Sequence, residues 1–64
     1  MEMAFFEKNK ILSSNRPIVR IMNPEYYPKP SIGEMVVLNG ILYKVCDITI
    51  NYDEKVIFVT IDMV

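Results

Sequence analysis

Asn39-Gly40 sits between Leu38 and Ile41. A two-residue type I′ turn needs positive φ at both central positions, and Asn followed by Gly meets that need at low steric cost. The dipeptide therefore predicts a β-hairpin from about residues 34–38 and 41–50. Its surroundings agree: thirteen of the 31 residues from 34 to 64 are Val, Ile or Thr, whose branched Cβ suits a pleated strand. In Val56 to Val64, Ile57, Val59, Ile61 and Met63 share one face, and Val56, Phe58, Thr60 and Asp62 share the other. A period of two with one wholly apolar face predicts a half-buried strand. The polar stretch Asn51-Tyr-Asp-Glu-Lys55 has hairpin length, so three strands form an antiparallel meander.

The middle strand changes phase. Ile41, Tyr43 and Val45 point one way, and Ile48 and Ile50 then fall on the opposite face. A β-bulge at Cys46-Asp47 would return Ile48 and Ile50 to the inner side and bend the strand, which is how a small sheet curls into a barrel. The alternative is a regular strand with one apolar side chain left in water.

The N-terminal half is less regular. Pro17 to Met22 predicts a further strand, with Pro17 at its first position, where a missing N–H is tolerated. Ser13 to Arg16 before it is expected to be a turn. Residues 23–33, NPEYYPKPSIG, hold three prolines and a glycine and predict an extended loop. Residues 4–12 show no clean alternation; Ala4, Phe5, Lys8, Ile11 and Leu12 fit one face of a short helix, so a short helix or irregular arm is expected there.

Composition limits how such a chain is held together. It has 64 residues, 52% hydrophobic and 23% charged, with a net charge of -1. That is one domain, too apolar for a disordered chain. Domains this small usually depend on disulfides, a metal or a partner chain. The single Cys and the absence of His exclude an internal disulfide and a zinc site built from Cys and His. Packing must do the stapling, within the chain or across subunits. Val56–Ile61, VIFVTI, is uncharged and rich in β-formers, hazardous as an exposed edge. Either the N-terminal arm covers it or another chain does, and five methionines add adaptable apolar surface. A homodimer or larger assembly is one expectation.

The same composition argues against most chemistry. Without His, no side chain is poised for acid–base work near neutrality, and nothing obvious activates Cys46; in a strand, Cys commonly serves as a small buried hydrophobe. Asp53-Glu54 fits ordinary turn chemistry, and Asp47 and Asp62 match no calcium-loop pattern. Two glycines cannot build a phosphate-cradling loop. The chain is expected not to be an enzyme and to use no cofactor or metal. No run of residues is long and apolar enough to span a membrane. The order at the N-terminus, Glu2 then Phe5-Phe6 then Glu7-Lys8, is unlike a signal peptide, so a cytoplasmic protein with a reduced Cys46 is expected.

The feature left over is the loop. Tyr26 and Tyr27, flanked by Pro28, Lys29 and Pro30, form a candidate contact surface for another protein. Tyrosine offers rigid contact area with a polar tip, and proline lowers the ordering cost of binding. The competing expectation is that one or both rings fold back as a lid on the core. A nucleic-acid reading would recruit Tyr26, Tyr27, Lys29, Arg16, Arg20 and Lys44 to stack and neutralise a single strand. Five basic and three acidic residues in 1–33 permit it, whereas two basic and five acidic residues in 34–64 oppose it.

Pro30, Ile32, Gly33, Glu34, Asn39, Gly40, Tyr43 and Val45 together resemble a recurring pattern of small SH3-like barrels. In that pattern a proline and an Ile-Gly-acidic step precede a strand, a tight turn follows, and a Tyr-x-Val strand begins. The chain also resembles short hypothetical proteins of bacteriophages and prophages of low-GC bacteria, over about residues 17–64. The resemblance implies a curled barrel with its long loop at 23–33, and a protein that binds, blocks or assembles host or virion proteins. It departs from true SH3 domains in having no Trp, which disfavours recognition of proline-rich peptides.

The expected fold is therefore all-β: a small SH3-like barrel or curled antiparallel meander over 17–64, with an N-terminal arm or short helix over 1–16. The expected function is non-enzymatic binding of a host or viral protein through the Tyr26–Pro30 loop and an adjacent sheet edge. A structural subunit of a phage particle or other assembly comes second, and single-stranded nucleic-acid binding third.

Overall fold

The computed structural model describes residues 1–8, 17–26 and 28–64, with Tyr26 placed by its backbone alone. Five strands are present: β1 (Glu2–Glu7), β2 (Val19–Ile21), β3 (Met35–Leu38), β4 (Ile41–Asn51) and β5 (Val56–Met63). One 3₁₀ turn spans Pro24–Tyr26, and there is no α-helix among the described residues. The strands form one sheet in the order β2-β1-β5-β4-β3. All neighbours are antiparallel except β1 and β5, which run parallel.

The β3–β4 hairpin forms where the Asn-Gly dipeptide places it. Leu38 pairs with Ile41, and Asn39 and Gly40 have φ of 53° and 79°, both left-handed as a type I′ turn requires. The second hairpin turns at Tyr52–Lys55, where Asn51 Oδ1 accepts the Glu54 N–H at 3.0 Å. An Asn side chain capping a backbone amide in this way substitutes for a missing ladder bond.

The phase change in β4 is a bulge. Val45 pairs with Ile61 and the next partner pair is Asp47 with Thr60, leaving Cys46 unopposed. Past it, Ile48 faces Val59 and Ile50 faces Ile57. Ile48 packs on the core, while Ile50, near the strand end, is exposed.

One core serves every strand. Met3 and Phe5 (β1), Tyr43 and Val45 (β4), and Ile57, Val59 and Ile61 (β5) are buried together. The two outermost strands close over this cluster with Val19 and Ile21 from β2 and Val36 and Leu38 from β3. Edges that pack on the same side chains as the centre require a curled sheet, and this one is barrel-like and compatible with a small SH3-like barrel. No polar or charged residue is buried among those described.

The N-terminal segment departs from expectation. Residues 4–7 of the expected short helix or irregular arm belong to β1, and residues 9–12 lie outside the described residues. The expected turn at Ser13–Arg16 is outside them too. The reason the strand escaped periodicity is physical. β1 lies between two neighbours and is buried on both faces: Met3 and Phe5 on the core side, and Ala4, 2% exposed, on the other. A strand beside a parallel partner and buried twice reads as a continuous apolar run, not an alternation. On the outer side Phe6 meets Phe58, ring centroids 5.7 Å apart. The hazard of VIFVTI is thereby removed inside the chain. β5 is the middle strand, paired by β1 from Glu2–Val56 to Glu7–Ile61 and by β4 on its other side.

Candidate interaction surface

The loop between β2 and β3 begins where the sheet can no longer continue, at Asn23-Pro24. Pro24 is buried and starts the 3₁₀ turn, which anchors this end of the loop to the domain. The far end is held by backbone bonds. Gly33 donates to Val45 O at 2.8 Å, Glu34 donates to Ser31 O at 3.0 Å, and Ser31 donates to Glu34 Oε1 at 3.2 Å. Gly33 has φ of 90°, a conformation that a residue with a Cβ adopts only with strain. The Ile-Gly-Glu step is thus the device that pins the loop onto β4 just before the bulge.

Between these anchors lie the residues predicted to make contact. Pro28 and Lys29 are exposed and Pro30 is half-buried. The Tyr26 backbone ends the 3₁₀ turn; its side chain, and all of Tyr27, lie outside the described residues. The question of lid against contact surface for the two rings falls on those same atoms.

The sequence pattern did not single out the apolar surface that follows the loop. Ile32 is 65% exposed and Val37 66%. Met35 pairs with Lys44 and Val37 with Leu42, so Met35, Val37, Leu42 and Lys44 share the outer face of the β3–β4 hairpin, and Met35 and Leu42 are exposed as well. The signal was present in Met35-Val-Val-Leu38: a four-residue strand with apolar side chains on both faces must show one set to solvent unless both faces are covered. A shallow groove of about 470 Å³ adjoins this surface, lined by Ile32, Lys44, Cys46, Asp62 and Val64 among others.

The residues recruited for nucleic-acid binding are not gathered by the described structure. Arg20 lies on β2 with its guanidinium 3.2 Å from Glu2 Oε2, and Lys44 lies on β4, with β1 and β5 between in the sheet order. Arg16 is outside the described residues. The carboxylates are also dispersed: Asp47 Oδ1 accepts the Ile48 N–H at 2.9 Å, Asp53 and Glu54 are exposed in the second turn, and Asp62 pairs in register with Lys44. No group of three or more acidic or Cys side chains suited to a metal occurs among the described residues. Cys46 is half-buried at the bulge, its Sγ 3.6 Å from Lys44 O. No helix of the described residues is long and apolar enough to cross a membrane. No protein-family model, curated protein or solved structure matches the chain.

Proposed function

We propose that this protein is a non-enzymatic binding module that engages another protein through the 23–33 loop and the neighbouring β3–β4 surface. The observation that carries this reading is the run of exposed apolar side chains Ile32, Met35, Val37 and Leu42 beside a loop pinned at both ends. A domain this small has few apolar residues to spare, so apolar surface left in water next to a proline-stiffened loop marks a contact region. The resemblance to phage and prophage proteins supplies the setting: a host or virion protein whose surface is occluded.

The test is a pull-down from bacterial lysate with the full chain, followed by purification of the retained protein and titration against it. Tyr26→Ala/Tyr27→Ala and Ile32→Asp should each weaken binding at least tenfold while circular dichroism stays unchanged. Retention of no protein above background, or affinity unmoved by both variants, would sink the proposal.

A further inference from the structure

The sheet has two outer strands, and they are protected unequally. β2 is three residues long and lies between Pro17 and Pro24. Its central Arg20 is exposed and ion-paired to Glu2. Short length, charge and flanking proline are the usual means by which an edge is kept from pairing with another chain. β3, Met35-Val-Val-Leu38, carries no charge and no proline, and among the described residues it has a neighbour on one side only.

Its hydrogen-bond phase can be read from the ladder. Val45 N–H donates to Glu34 O at 2.9 Å. Alternate residues of an antiparallel strand turn their backbone groups to the same neighbour. Glu34, Val36 and Leu38 therefore bond toward β4, and the N–H and C=O of Met35 and Val37 point to the open side. The same two residues carry the exposed side chains of the outer face. Among the described residues, backbone groups without a strand partner and exposed apolar side chains thus coincide.

Building on the binding-module reading, we propose that the open edge of β3 accepts an extended peptide segment of the partner as an added strand, apolar at the alternate positions that lie beside Met35 and Val37. Four residues of strand span about 13 Å. Pairing along so short an edge buries a few hundred Å² on each side, below the roughly 1,200 Å² in total that a stable dimer requires. The edge suits a short linear segment held by main-chain bonds better than a second folded copy.

The phase also furnishes the test. Val37 N–H faces away from β4, so Val37→Pro removes an edge donor without breaking the β3–β4 ladder. A displayed random dodecapeptide library is selected on the wild-type chain. Enriched peptides should show apolar residues at alternate positions, bind Val37→Pro at least tenfold more weakly than wild type, and retain affinity for Val37→Ile, which keeps the N–H. The melting temperatures of the two variants should stay within a few degrees of wild type. Equal binding to Val37→Pro, or no selected peptide, overturns the edge inference. A concentration-dependent dimer that Val37→Pro abolishes overturns the peptide occupant in favour of a second copy. The binding-module reading is judged separately by the Tyr26→Ala/Tyr27→Ala and Ile32→Asp pull-downs, so the two can fail independently.

Discussion

Val59→Ala against Val37→Ala tests the sheet order directly. Val59 is 0% exposed at the centre of β5, opposite Phe5 on one side and Ile48 on the other. Truncation to Ala removes two carbons from the core, about 1.6 kcal/mol at about 0.8 kcal/mol per methylene. A residual cavity of about 50 Å³ would add about 1.2 kcal/mol at about 24 cal/mol per Å³, less whatever the neighbours recover by collapse. The expected cost is about 2–3 kcal/mol, a large share of the roughly 3–10 kcal/mol that a chain this size commands. Val37 lies on an outer strand and is 66% exposed, so the same truncation there loses about a third of the transfer free energy and leaves no cavity, about 0.5 kcal/mol. In urea, with a slope near 1 kcal/mol per molar, the midpoint should fall by about 2–3 M for Val59→Ala and by at most about 0.5 M for Val37→Ala, with slopes unchanged. A Val59→Ala cost under about 1 kcal/mol, or equal costs at the two sites, would refute the placement of β5 at the centre and β3 at the margin.

Three further outcomes follow from the same geometry. Removing residues 1–8 strips β1 and exposes the β5 ladder from Val56 to Ile61, so the truncated chain should aggregate at concentrations where the full chain stays clear by light scattering; a folded, soluble monomer would contradict the role given to β1. Gly40→Ala forces an L-residue to φ of 79° and should cost about 1–2 kcal/mol, seen as a drop of about 4–8 °C in melting temperature per kcal/mol; an unchanged melting point would show that the turn is not type I′. Arg20→Ala breaks an ion pair whose arginine is exposed and whose glutamate is half-buried and should change stability by about 1 kcal/mol or less; a larger loss would mean that β2 depends on that contact.

Much of the fold was legible because local and global signals agree. The Asn39-Gly40 turn, the alternation of β5 and the phase change at Cys46-Asp47 each constrain the chain over a few residues, and each appears in the structure at the same residues. The candidate surface was legible in part. Prolines and the Ile32-Gly33-Glu34 step marked the loop, but the exposed side chains of Met35 and Val37 required knowing that the outer face of the β3–β4 hairpin is left uncovered among the described residues.

By itself, then, the sequence determined the hairpins and the apolar face that becomes the core and located the phase change of β4, since turn chemistry and a period of two act within neighbouring residues; the register of β4 on β5 decided that this change is a bulge. Tertiary structure alone decided that Met3-Ala-Phe-Phe6 is a strand, that it lies parallel to β5, and that VIFVTI is a covered centre and not an open edge. A segment buried on both faces has no periodicity to read, and its partner lies at the other end of the chain. The first strand supplies much of the cover for the last, and the apolar side chains that remain exposed among the described residues include Met35 and Val37 of β3.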